Sequence, residues 1–108
     1  MKISELKKKL SSYNNGDIIF TDHAEIQALF RQIDLEEVKR NIINPKRLVF
    51  AEEQNSLKSN EEKYNCYFSY SEKLCHRYAL ALNRKVIIVT IIKINRPWQK
   101  TIEGKRKR

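Results

Sequence analysis

His23, Gln27 and Arg31 follow one another at intervals of four, in a segment that opens Phe20-Thr21-Asp22-His23-Ala24. On a helix that spacing stacks the three side chains along one side. A neutral imidazole there could take the proton of a ribose 2′-hydroxyl while the guanidinium stabilises the negative phosphorane. The same residues also fit a plain structural role, with His23 an ordinary helix-start residue and Arg31 an exposed helix former. A second group lies downstream: His76, Arg77 and Tyr78, then Thr90 and Lys93, then Arg96 and Trp98. Aromatics interleaved with cations suit RNA, because rings stack on nucleobases and cations hold phosphates. Here too a structural role competes. Tyr78 could pack its ring in the core, Thr90 is ordinary strand composition, and Trp98 after Pro97 could seal the open end of a core. Lys93 and Arg96 are the better ligand contacts, and Lys85, Arg96, Trp98 and Lys100 form the candidate RNA-binding set.

Cys66 and Cys75 are the only cysteines, with no CxxC spacing. Two ordinary thiols fit this pattern best, and their pairing stays open. A zinc site from Cys66, Cys75, His76 and His23 is conceivable if a hairpin gathers the first three, but the spacing matches no familiar zinc pattern. Neither a metal nor a cofactor is expected.

Twenty-two Lys and Arg against thirteen Asp and Glu give a formal net charge of +9. That excess favours RNA, DNA or an acidic protein as partner through long-range attraction. Solubility alone also accounts for part of it, since four charges lie in the tail Lys105-Arg106-Lys107-Arg108. At 108 residues the chain fits one compact domain over 1–108, with 1–16 a helical extension and 103–108 a basic tail. The longest apolar stretch, Val86 to Ile92, is strand-sized, far below the ~20 residues that span a bilayer. No basic-then-apolar leader opens the chain, so a cytoplasmic protein without membrane partners is expected.

The elements that must position these residues follow from periodicity. Ile3, Leu6 and Leu10 recur at helical spacing before Asn14-Asn15-Gly16, predicting a helix over 2–13. Asp22 with Glu25 resembles a capping box, and Ile26, Leu29, Phe30 and Ile33 trace an apolar face for a second helix. Asp34 with Glu37 repeats that start signal. Leu35, Val38, Ile42 and Ile43 supply the third apolar face, and Asn44-Pro45 stops it. Arg47 to Phe50 is a short strand candidate, and Ala51 to Glu62 reads as a mobile loop. Tyr64–Tyr70, Leu74–Leu82 and Val86–Ile94 are strand-like and joined by connections short enough for antiparallel hairpins. The predicted fold is α+β, with helices on one face of a three- to four-stranded antiparallel sheet. Alternation puts Tyr78, Leu80 and Leu82 towards the helices and Arg77 away from them.

The order helix, helix, Asn-Pro stop, antiparallel sheet resembles the RelE/ParE-like toxin superfamily, in particular its small members that open with a His-Ala helix. The matching residues are His23-Ala24, Arg31, Ile33-Asp34, Val38, Asn44-Pro45, Arg77-Tyr78 and Val89-Thr90, spread over 20–98. Gln27 stands where a second basic residue is usual. The resemblance implies a RelE-like sheet whose open face receives RNA, often on the ribosome, and a small antitoxin protein as partner. Some relatives poison gyrase instead. It further implies a metal-independent endoribonuclease acting through 2′-hydroxyl attack. Arg77, Lys93 and Arg96 would neutralise the scissile phosphate, and His23 or Tyr78 would move protons, making His23, Arg31, Arg77, Tyr78 and Lys93 the catalytic candidates. The competing expectation is a non-catalytic basic module for RNA, DNA or a protein partner.

Overall fold

A computed structural model describes residues 2–54 and 61–106. In chain order the elements are α1 (Ile3–Ser11), β1 (Ile18–Phe20), α2 (Asp22–Phe30), α3 (Leu35–Ile43), β2 (Leu48–Gln54), β3 (Glu62–Ser71), β4 (Leu74–Leu82), β5 (Val86–Ile94) and α4 (Gln99–Arg106). The strands form one sheet in the order β1-β5-β4-β3-β2. The two hairpins expected from alternation are present, with β3–β4 and β4–β5 antiparallel. The α+β class is therefore as expected, but the sheet has five strands and is mixed, because β1 pairs parallel to β5 through Ile18↔Val86 and Phe20↔Ile88. Three residues are too few to show alternation, and a parallel partner cannot be reached by a tight turn. The expected loop at Ala51–Glu62 is shorter at both ends, since β2 continues to Gln54 and β3 begins at Glu62. Its centre, 55–60, lies outside the described residues.

The helices α1, α2 and α3 cover one sheet face. Leu6 and Leu10 of α1, Val38 and Ile42 of α3, and Phe68, Tyr78, Leu80 and Ile88 of the sheet share one core cluster. The segment expected as an N-terminal extension thus supplies two of the most buried side chains, and Lys9 ties it to β3 through a 3.0 Å ion pair with Glu62.

α2 is seated differently from expectation. Its cap is Thr21, whose Oγ1 accepts from Ala24 N at 3.1 Å, rather than Asp22. Ala24 and Ala28 are the buried residues, whereas Ile26, Leu29 and Phe30 are exposed. The reason is close approach. Thr21 N bonds to Ile88 O, and Gln27 Oε1 accepts from Ile91 N at 2.9 Å, so α2 lies along the β5 edge just where β1 ends. Small alanines permit that distance; the larger apolar side chains must point outward. α2 ends in a left-handed Gln32 (φ 55°), with Ile33 N bonded to Ala28 O and Gln32 N to Leu29 O. This is a Schellman stop built without glycine.

The second sheet face is partly covered by α4, which sequence periodicity did not reveal. Trp98 and Ile102 pack on Tyr67 and Cys75 with Val49, Phe50 and Ile94 alongside. Trp98 Nε1 donates to Ser71 O at 2.7 Å, and Lys105 Nζ reaches Glu52 at 3.2 Å and the Tyr67 hydroxyl at 3.0 Å. Residues 103–106, expected as tail, thus belong to a docked helix. Among the described residues no helix is long and apolar enough to cross a membrane.

Candidate phosphate-binding site

The two groups of candidate residues separate once the sheet is assembled. β5 carries a bulge: Ala79 pairs with Thr90 but Leu80 pairs with Ile88, leaving Val89 between them. Val86 and Ile88 face the helices, and strict alternation from them would put Lys93 on the opposite face beside Arg77. The extra residue inverts the phase. Ile91 then pairs with Tyr78 and Lys93 with His76, both on the helix-covered face, while Ile92 pairs with Arg77 on the other. Arg77 and Lys93, expected to share one phosphate, lie on opposite sides of the sheet.

The remaining expected residues disperse as well. Tyr78 is fully buried. His23 is exposed at the start of α2, level with the Ile88–Val89 end of the β5 edge. Lys85 precedes β5 at the far end of the sheet and pairs with Asp17 at 3.0 Å. Trp98 is a core residue. Arg96 and Lys100 are exposed beyond the end of β5, on the connection to α4 and its first turn. Arg31 does come near the Lys93 end. From Gln27, level with Ile91, four helical residues and two strand residues both advance about 6 Å, which brings Arg31 level with Lys93.

What surrounds Lys93 is a hydrogen-bonded chain that sequence reasoning missed. Tyr70 donates its hydroxyl proton to Glu37 Oε2. Asn41 Nδ2 lies 2.8 Å from the Tyr70 hydroxyl and 3.0 Å from the Tyr78 hydroxyl. The Tyr78 hydroxyl lies 2.7 Å from His76 Nδ1. The polarity is dictated from one end. A carboxylate can only accept, so Tyr70 uses its single proton on Glu37 and must accept from Asn41. The same amide nitrogen faces Tyr78, which therefore also accepts, and its own buried proton goes to His76 Nδ1. A neutral His76 then carries its proton on Nε2.

Nε2 makes no hydrogen bond within the described residues, and among them no buried side-chain nitrogen or oxygen lacks a partner, so this atom reaches the surface. The rest of the ring is enclosed, leaving His76 3% exposed. Burial lowers its pKa, the Lys93 and Arg47 charges act in the same sense, and Glu37 opposes them. Arg47 sits 4.1 Å over the Tyr70 ring, and that ring is 4.4 Å from the imidazole. Tyr78 and Tyr70 are both pushed up, chiefly by burial. The arrangement is a fixed N–H donor in the field of two cations, Lys93 and Arg47, which suits binding one anionic oxygen; it holds no poised base.

One residue of the chain was legible. In α3, Val38, Asn41 and Ile42 share a helical face, and an amide within an apolar stripe marks a buried polar contact. The zinc grouping does not assemble. Cys66 faces Tyr78 on the helix side, whereas Cys75 belongs to the α4 side, and consecutive Cys75 and His76 point to opposite faces. Burial pushes the Cys66 thiol up to about 12 and the Cys75 thiol up to about 11.

No family model, curated protein or solved structure matches the chain.

Proposed function

We propose that this protein binds RNA through its backbone phosphates at the sheet end where His76, Lys93 and Arg47 converge. The observation that carries the reading is the Nε2–H of His76, left free of protein partners and held in place by the Glu37–Tyr70–Asn41–Tyr78 chain, with the Lys93 and Arg47 charges acting on the same ring. The net charge of +9 supports a polyanionic ligand, and exposed Arg96 and Lys100 extend the basic surface from the same end. The second reading is a toxin-like endoribonuclease that works by charge stabilisation. In it the 2′-oxygen forms a bond to the adjacent phosphorus as its proton passes to solvent, the P–O5′ bond breaks and the 5′-oxygen takes a proton from solvent, while His76, Lys93 and Arg47 stabilise the phosphorane. His23 and Tyr78 have no role as bases in this scheme. The His76–Lys93 pairing favours it. A ribosome or a small antitoxin as partner belongs to this second reading.

The test is binding of single-stranded RNA across a salt series, with cleavage followed on the same samples. Lys93→Ala and Arg47→Ala should each weaken binding and flatten the salt dependence by about 0.7 in log–log slope for each phosphate no longer neutralised. Arg77→Ala, on the opposite face, should weaken binding less. Unchanged affinity in the Lys93 and Arg47 variants would overturn the proposed site. Cyclic 2′,3′-phosphate ends, abolished by a 2′-deoxy substitution, would select the nuclease; intact RNA and full growth on induced expression would exclude it.

A further inference from the structure

Among the described residues five large hydrophobic side chains are exposed, and three of them, Ile26 (54%), Leu29 (78%) and Phe30 (80%), lie on consecutive turns of α2. They point outward because Ala24, Ala28 and Gln27 hold the opposite side of the helix against β5. Scattered apolar residues are ordinary on a surface, but three adjacent large ones make a contiguous patch. Such a patch is a substantial fraction of the ~800 Å² each partner contributes to a stable interface.

The charge around this patch is opposite to that of the chain. The charged side chains within α2 are Asp22 and Glu25, both acidic and exposed, in a chain of net charge +9, and Arg31 at its C-cap follows Gln27 on the side turned to β5. Asp22 and Glu25 flank Ile26 and Leu29 on the exposed turns of α2. This rim repels phosphate, so RNA is not the occupant. The outer face of α2 carries no Lys or Arg, so a symmetric α2–α2 contact would leave Asp22 and Glu25 without a cation from the facing helix, which disfavours a second copy as the occupant. We infer that the outer face of α2 docks a basic amphipathic segment of another protein, one that presents large apolar side chains bordered by Lys or Arg. The surface is separate from the His76 site, and the inference does not rest on RNA binding.

The test uses two synthetic helical peptides, one of leucine and lysine and one of leucine and glutamate in the same pattern. Binding is followed by fluorescence anisotropy and by backbone amide shifts of the full chain. The lysine peptide should bind and shift α2 amides despite the overall positive charge of the protein. Leu29→Ser with Phe30→Ser should raise its Kd at least tenfold, and Glu25→Lys should raise it severalfold. Both serine positions are exposed, so folding is retained, which the unchanged remaining amide spectrum will show. No binding of the lysine peptide, equal binding by the serine variant, or a dimer by sedimentation that the serine variant abolishes would each overturn the inference.

Discussion

Glu37 on α3 and His76 on β4 share no direct hydrogen bond, yet the first fixes the tautomer of the second. Two tyrosine hydroxyls and one amide nitrogen connect them, and only one assignment of protons satisfies every buried group along the way. Protonating His76 would require Nδ1 to donate to the Tyr78 hydroxyl, whose own proton would then lose its acceptor. The chain therefore opposes the imidazolium for a reason additional to burial.

That wiring predicts the neutral Nε2–H tautomer at pH 7. Two-bond ¹⁵N–¹H correlation spectra distinguish the two nitrogens, and His76 should show a pyrrole-type Nε2 and a pyridine-type Nδ1. In Tyr78→Phe the Nδ1 partner is gone, and the tautomer preference should weaken. A dominant Nδ1–H form in the wild-type protein would contradict the assignment.

The same histidine gives stability a pH dependence whose sign follows from linkage. Its folded pKa lies below the unfolded value of about 6.5, so the unfolded state binds more protons once the pH falls beneath that point. Stability should be full above about pH 6.5, fall as the pH drops below it, and level off beneath the folded pKa. Glu62, held down by the Lys9 hydrogen bond, and Asp17, held down by the Asn14 backbone, act later. Their contribution is present above about pH 4 and is lost as the pH falls through the unfolded carboxylate range towards their folded values. Urea unfolding between about pH 8 and pH 3 should show two separate declines. His76→Gln should remove the upper one and leave the lower.

The sequence made some elements readable and hid others for physical reasons. α3 was legible because Asp34 caps it, its apolar stripe is regular and Asn44-Pro45 stops it; the long hairpins were legible because runs of nine or ten residues rich in β-branched and aromatic side chains are joined by short polar connections. α2 was found but turned over, since periodicity shows a stripe without showing whether closeness of approach favours Ala24 and Ala28 over Leu29 and Phe30. The candidate site failed at one residue. Val89 adds a step to β5 that no residue type announces, and every side chain after it changes face. Arg77 and Lys93, which the resemblance put on one phosphate, therefore end on opposite surfaces. His76 stood out as titratable, but its role depends on Asn41 and Glu37, which are distant in sequence and meet it only through tertiary packing.

Gln32 offers a stabilising change. It occupies the left-handed position that closes α2 (φ 55°), where a side chain with a Cβ costs about 1–2 kcal/mol, and it is exposed. Gln32→Gly removes that strain, and the added freedom of the unfolded chain offsets part of the gain. The net should be about 0.5–1 kcal/mol, seen as a higher urea midpoint at unchanged slope. A loss of stability would mean that the Gln32 side chain makes an interaction that outweighs the strain.

Trp98 separates a core role from an RNA-stacking role by one optical measurement. It is the only tryptophan of the chain, it is 7% exposed, and its indole N–H is committed to Ser71 O. Emission of the native protein should be blue-shifted and should move to the red on unfolding. Saturating single-stranded RNA should leave it unquenched, because a base cannot stack on a ring already enclosed by Tyr67, Cys75 and Ile102. Trp98→Ala should cost about 3–5 kcal/mol, as deletion of a buried aromatic does. Trp98→Phe keeps a ring in the second core and gives up one hydrogen bond, so its cost should be about 1 kcal/mol plus a smaller packing penalty. Strong quenching by RNA, with little effect of Trp98→Ala on the urea midpoint, would move Trp98 from the core to the ligand surface.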